Sequence, residues 1–495
     1  MSKPFPARSY AFTEQGDALN WIGGAFVPAA SGATLAVENP RHAKRMGQVA
    51  MSGAADVDAA VKAGIAAQKV WRSMPVRERA DVFYRLKTLL QRDLEELAWL
   101  VSHENGKTYA EGRASVEKTI ECVEFGCSLG NMGAGEQLDV SRGVNCRVDH
   151  EPLGVVAGIA PFNFPLMVAM WMLPQALVGG NAFILKPSEL VPFCSGRLAL
   201  LLKEAGIPDG LFNIVNGGAD AVNAICDHPD IKAVGFVGST RVGQMVYARG
   251  SATGKTMLCL GGAKNHLMIV PDADRALTAP NVVASFTGCA GQRCMAASVL
   301  LAVGDVDAIL GDIVAGAKKV RLGEDMGAII SKAAFDRITG YIDDAERRGA
   351  KVLVDGRGAK GPDGGYWIGP TILDHCTLDM PCTTEEIFGP VISIVRTKTL
   401  DEAIAIENAN PYGNAACVYT TSGAVANYVT SRVEAGMVGV NVGVPVPREP
   451  FGFGGWNLSK FGAGNITGYD GWRFWTRPRK VTTKWAIQTD TTWMG

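Results

Sequence analysis

Histidine is scarce in this chain: six residues in 495, far apart, with no H-x-x-x-H pair and no Cys/His couplet at ligand spacing. That excludes a zinc site built from local sequence, and no metal is expected. The eleven cysteines are an odd number scattered from Cys122 to Cys417, and none forms a C-x-x-C pair. Neither charge is in excess, with 48 Lys+Arg against 49 Asp+Glu and a net charge of −1. The basic footprint of a nucleic-acid binder is therefore missing, and no block of like charge suggests a membrane surface. The opening MSKPFPARSYAFTEQ carries Glu14 and no apolar signal region. The cysteines accordingly read as reduced thiols in a cytoplasmic protein, and the partner as a small molecule. No internal repeat, low-complexity segment or long linker appears.

What is present is core-forming residues, 47% hydrophobic against 20% charged, in a length that suggests about three domains. Residues 152–185 hold no charge at all. Pro161, Pro165 and Pro174 break that run, and Asn163, Gln175 and Asn181 would need partners in lipid. A buried strand, a tight turn, a core helix and a second buried strand fit it better than a membrane span.

Helical periodicity covers 56–71, 76–105 and 115–130, after which 143–151 alternates like an exposed strand. From 154 on, apolar runs of the parallel-sheet kind (154–160, 182–186, 212–215, 233–237) trade places with helical patterns at 166–177, at 194–205 and from Ala219. The expected fold class is therefore α/β, with doubly wound parallel sheets. A second α/β region begins near Lys264, with strands expected at 267–270 and 299–303 and helices at 277–288 and 305–318. The tail 477–487 alternates as a lone strand, and the stretch 145–151 is a fitting partner. Such a β-ribbon suits an oligomer contact.

The segment FTGCAGQRCMAAS (286–298) sets Cys294 among small residues behind Arg293. A nucleophilic cysteine acts as thiolate, and Arg293 with nearby backbone amides would favour the anion. Cys289 reads as a small core residue. In PFNFP (161–165), Asn163 is locked between prolines after a buried strand. Its amide N–H, together with the Cys294 backbone N–H, would make an oxyanion hole, or it would simply tie down a rigid turn.

Asn163 within IAPFNFP, then NAFILKPSE, FVGSTRVG, GQRC and EEIFGP occur in the order and at the spacing of the NAD(P)-dependent aldehyde dehydrogenases. The chain resembles that family over nearly its whole length. The resemblance implies an NAD-binding domain (1–138 and 155–263), a catalytic domain (264–472) and an oligomerisation β-ribbon (139–154 and 473–495), in a homodimer or homotetramer. It implies Cys294 as nucleophile toward an aldehyde and Asn163 as oxyanion donor. Lys186 and Glu189 would hold the adenosine ribose, where a carboxylate repels a 2′-phosphate and favours NAD. Gly238 and Ser239 would let the pyrophosphate approach a helix N-terminus, in place of a G-x-G-x-x-G turn. Glu386 and Phe388 would grip the nicotinamide ribose, with Ala160, Phe162 and Gly261 lining the same cleft. Taken singly, Lys186 reads as a solvated strand end and Glu386 as a surface carboxylate; the ordered set reverses that.

One departure stands out. Most of the family carries a water-activating Glu in an E-L-G-G-K run, whereas this chain has Cys259-Leu260-Gly261-Gly262-Ala263-Lys264. Whichever way the runs are aligned, Cys259 or Leu260 replaces the carboxylate. Water is then a poor acyl acceptor, and a thiol such as coenzyme A is favoured. With GGAKNH, GQRCMA and VPVP, the chain resembles the CoA-acylating methylmalonate/malonate-semialdehyde dehydrogenase branch. There two arginines hold the substrate carboxylate, and carbon dioxide leaves after acylation. Arg293 matches one of them, and Lys118 stands where the other is expected, keeping the charge without the bidentate fork. The run Arg448-Glu449-Pro450 adds charge near the substrate mouth. The alternatives are a hydrolytic enzyme recruiting Glu385 or His266 as base, and a non-catalytic NAD-binding protein on the same fold.

Overall fold

Between residues 155 and 260 the Val-, Ile- and Leu-rich runs form five parallel strands separated by four helices. The protein is described by a computed structural model covering residues 8–132 and 135–485. In space the five strands run Thr256–Leu260, Ile231–Val237, Val155–Ile159, Ala182–Lys186, Phe212–Ile214. Val155–Ile159 is first in sequence yet central, so the chain winds outward to one side and then to the other. The switch of direction falls between Val155–Ile159 and Ile231–Val237. Val155–Ile159 and Ala182–Lys186 are buried at every position, as continuous apolar strands with helices on both faces must be. Two antiparallel edges complete an eight-stranded sheet: Lys460–Phe461 beside Thr256–Leu260, and the hairpin Asn20–Ile22/Ala25–Val27 beside Phe212–Ile214.

A second, seven-stranded sheet is parallel except at its Lys351–Val354 edge, and Asn265–Ile269 and Ala297–Val303 lie at its middle. The uncharged run 152–185 folds as strand, turn, helix (Met167–Val178) and strand. Among the described residues no helix is long and apolar enough to cross a membrane, and no group of three His, Cys, Asp or Glu is placed to hold a metal ion.

The helical stretch 76–105 is two helices, Val76–Arg92 and Leu94–Asn105, divided at Asp93. The Asp93 carboxylate accepts from Arg92 and Arg197. The helix expected at 115–130 begins a turn and a half earlier, as Tyr109–Met132. There Thr108 N–H donates to Glu111 Oε2 (3.0 Å) and Glu111 N–H donates to Thr108 Oγ1 (3.3 Å), a reciprocal capping box. The N-terminal sheet of Gly16–Ala18, Thr34–Asn39 and Lys44–Ala50 was not expected from the sequence.

Thr476–Lys484 pairs antiparallel with Val144–Pro152, from Thr476 opposite Pro152 to Lys484 opposite Val144, and Glu136–Ser141 adds a third strand exposed throughout. Residues 486 and 487 of the expected tail strand, and the outer ends of the expected domains (1–7, 486–495, with 133–134), lie outside the described residues. Just before the terminal strand, Trp475 is fully buried against the eight-stranded sheet. Its ring meets Phe183 edge-on at 5.8 Å, and a Cβ on Gly235 would come within 3.1 Å of it. Asn181 fastens this corner: its Nδ2 donates to the Trp475 carbonyl (2.8 Å), and its Oδ1 accepts from Leu153 and Gly154 N–H.

Candidate active site

In a parallel sheet all strands end on one side, and in this one those ends open into a cavity of ≈ 1370 Å³. It holds Ala160 and Asn163 after the central strand, and Lys186 and Glu189 after the next. Gly238, Ser239 and Gly261 follow the strands on the other flank, and Phe162, Glu386, Phe388 and Cys294 complete the set. Cys294, Asn163 and every residue that the motifs suggest for a dinucleotide thus line one space.

Cys294 is half-buried at the end of a loop pinned from several directions. Its carbonyl accepts from Asn265 Nδ2 (2.8 Å) and Asn414 Nδ2 (2.9 Å). Asn163 Nδ2 donates one hydrogen to the Gln292 carbonyl (3.0 Å), which fixes the amide and leaves its second hydrogen for a substrate oxygen. Gln292 is itself held, its Oε1 accepting from Ile330 N–H (3.0 Å). Cys289 and Ala290 both adopt φ of 53°, an uncommon conformation that only a well-braced loop sustains. Gly291 follows at φ 68°, where a Cβ would fall 2.0 Å from the Gly389 carbonyl oxygen. The loop that carries Cys294 therefore packs directly on EEIFGP.

Burial pushes the Cys294 thiol up to about 12, and the Glu386 carboxylate adds to the rise; Arg293 and the local backbone amides only soften it. Arg293 and the amides thus act in the expected direction, toward the thiolate, but desolvation outweighs them. The Arg293 guanidinium turns back to donate to the carbonyls of Ala284 and Ser285 (both 2.8 Å) at the end of helix Arg275–Thr287. Arg293 and Lys118 are absent from the cavity wall. Lys118 donates instead to Glu449 (2.9 Å) and Glu121 (3.0 Å).

The cofactor-type residues have matching local reasons. Lys186 Nζ donates to Glu189 Oε2 (3.0 Å) at the strand end. Glu386 Oε1 accepts from Ala263 N–H (2.9 Å), and burial raises its carboxyl to about 7. Phe162 and Phe388 meet edge to face at 5.7 Å. Gly261 could not carry a side chain, because a Cβ would approach Thr240 Oγ1 to 2.9 Å and the Leu458 carbonyl oxygen to 3.0 Å.

The two positions that replace the family's Glu are both buried outside the cavity wall, and burial drives the Cys259 thiol far above its ordinary range. Neither rival base faces the cavity. His266 is buried in the second sheet, where desolvation lowers it to about 3, and Glu385 accepts from the Tyr341 hydroxyl (2.6 Å). Among the described residues, the only carboxylates on the cavity wall are Glu189 and Glu386. Sequence reasoning missed Asn265 and Asn414. Asn265 sits within the GGAKNH run quoted above, whereas Asn414 lies in no motif.

With a half-buried cysteine and a fixed asparagine facing the strand ends of a doubly wound sheet, the chain belongs to the aldehyde dehydrogenase family of aldehyde-oxidising enzymes, whose family model matches residues 26–481. Within it, the chain is 45% identical over 475 residues to malonate-semialdehyde dehydrogenase 2 of Geobacillus kaustophilus (strain HTA426), covering 94% of this chain and 98% of that one. Its fold matches the crystal structure of methylmalonate-semialdehyde dehydrogenase from Oceanimonas doudoroffii with a TM-score of 0.94 at 38% identity, covering 96% and 99% of the two chains. A Sinorhizobium meliloti 1021 structure assigned to the same activity and complexed with NAD gives 0.94 at 40% identity over the same shares.

Proposed function

We propose that the protein oxidises a short, carboxylate-bearing aldehyde of the malonate or methylmalonate semialdehyde type with NAD, and passes the acyl group to coenzyme A. The observation that carries the acyl acceptor is the cavity wall, where both carboxylates are already committed to cofactor-type positions and none is left to activate water. NAD fits the residues present: Gly238, Ser239 and Gly261 leave room at the start of helix Thr240–Ala252, and Glu189 disfavours a 2′-phosphate.

In this reading the Cys294 thiolate adds to the aldehyde carbon, and the oxygen that becomes an alkoxide takes the free Asn163 N–H and the Cys294 backbone N–H. NAD bound in the cavity supplies the hydride acceptor. The thioester left on Cys294 is then attacked by the coenzyme A thiolate, the acyl–Cys294 bond breaks, and the Cys294 thiolate returns. Arg293 and Lys118 are the cations assigned to the substrate carboxylate, and each must turn from its present partners, the Ala284 and Ser285 carbonyls and Glu449 with Glu121, to reach it. We further assign 1–138 and 155–263 to NAD binding, 264–472 to catalysis, and the ribbon of 139–154 and 473–495 to a homodimer or homotetramer contact. The setting is the cytoplasm, with the eleven cysteines as free thiols.

NADH formation with malonate semialdehyde and with propanal, each with and without coenzyme A, tests the reading. The expected result is a burst of about one NADH per site without coenzyme A and steady turnover only with it. Steady turnover without coenzyme A would make water the acceptor. Cys294→Ala abolishes NADH formation while NAD binding persists; retained turnover would overturn the assignment of the nucleophile.

A further inference from the structure

The loop 442–455 is fastened to the site at both ends. Near its start the Gly443 carbonyl accepts from Ser285 Oγ (2.5 Å), and the Ser285 carbonyl in turn accepts from Arg293. Near its far end buried Phe453 packs on Trp171 at 4.5 Å between ring centroids, and Trp171 lines the Cys294 cavity. Glu449 lies between these anchors with its side chain only 11% exposed. One carboxylate oxygen accepts from Lys118 Nζ (2.9 Å), and the other faces the Cys122 thiol at 3.8 Å.

Lys118 belongs to a stripe of helix Tyr109–Met132 made of Glu111, Ser115, Lys118 and Cys122, spaced to share one face. At the near end of that stripe Glu111 Oε1 accepts from Cys289 N–H (2.5 Å), inside the nucleophile loop. Lys118 follows about 10 Å further along the helix axis. The cation assigned to a substrate carboxylate therefore already holds a carboxylate of its own chain, supplied by the charged run 448–450.

We propose that Glu449 is a specificity-determining residue, competing with the substrate carboxylate for Lys118 and so narrowing the preference for anionic over neutral aldehydes. The inference rests on the anionic-aldehyde reading above. A partly buried ion pair must open, or share its lysine with a second anion, before a carboxylated aldehyde docks. That cost falls on the KM of an anionic substrate; a neutral aldehyde does not use Lys118 and escapes it. Glu121, the second partner of Lys118, is 40% exposed and water-screened, so it competes less.

The test compares wild type, Glu449→Gln and Glu121→Gln in steady state with coenzyme A. For Glu449→Gln the KM for malonate semialdehyde falls about tenfold (~1.4 kcal/mol), while kcat and the KM for propanal hold. Equal shifts for both aldehydes, a loss of kcat with both, no shift, or the same gain from Glu121→Gln would each overturn the proposal. Malonate binding, measured by calorimetry, reports the competition without turnover: it tightens about tenfold in Glu449→Gln and returns to the wild-type value in Glu449→Asp. A wild type that forms no NADH with either aldehyde would sink the functional reading instead, and the malonate titration would still decide for or against Glu449.

Discussion

The Cys294 thiol is stored as a thiol, and its ionisation can be followed directly. Burial is the largest cause of its rise from 9.0 to about 12, and the charge of Glu386 is the next. A rise of that size lowers the thiolate fraction about a thousandfold, to roughly one site in 10⁵ at pH 7. Alkylation by iodoacetamide follows the thiolate, so its rate at Cys294 climbs from pH 7 to 10 without reaching a plateau, less steeply near pH 7 to 8 where Glu386 ionises and about tenfold per unit above that. Glu386→Gln removes the second cause. Because the Glu386 carboxyl ionises near 7, the variant reacts faster than wild type at pH 8.5, by about tenfold if the charge is worth one pKa unit. At pH 5.5 Glu386 is neutral and the two proteins react alike. Peptide mass spectrometry separates Cys294 from the other ten cysteines. A plateau below pH 9, or equal rates at pH 8.5, would refute the account of a thiol held neutral by burial and a facing carboxylate.

The two amides on the Cys294 carbonyl share one task. Asn265→Ala and Asn414→Ala are each expected to slow the single-turnover NADH burst about fivefold, near 1 kcal/mol apiece, and the double variant about 25-fold; an unchanged burst in the double variant would remove them from the site. Buried Glu104 accepts from the N–H groups of Phe193 and Cys194 at the start of helix Phe193–Ala205, and desolvation raises it from 4.5 to about 7. Because the folded value is the higher one, its contribution is full below pH 4.5 and lost as pH rises through 7, by about 3 kcal/mol. Glu104→Gln keeps an acceptor oxygen for Phe193 N–H and flattens that loss. Urea unfolding at pH 5 and pH 8 measures it, and equal pH slopes in both proteins would contradict the assignment.

The legible parts of the fold are those where one physical signal dominates. Strands such as Val155–Ile159, buried on both faces, write themselves as uncharged β-branched runs, and the terminal strand pairs with the partner its alternation suggested. The three-residue strands Gly16–Ala18, Asn20–Ile22 and Ala25–Val27 are too short for any period to show, and the sheets they join are closed by distant chain. Asp93 interrupts a helical pattern without breaking its phase, so 76–105 reads as continuous. At the site, the motifs brought Cys294, Asn163 and the dinucleotide-type residues to one cavity. The state of the thiol was not legible, since desolvation depends on the whole enclosure while Arg293 is merely its neighbour in sequence. Asn414, brought to Cys294 across 120 residues, leaves no local trace.

Trp475 has a consequence for how the protein is made. It fills the space between Phe183 and Gly235, and Asn181 is tied to its carbonyl, so the eight-stranded sheet lacks part of its interior until the chain is nearly complete. Domains synthesised early usually fold as they emerge. Here the half that opens the sequence waits for the residues that end it, and a truncation before Trp475 leaves its first strands assembled around an unfilled hole.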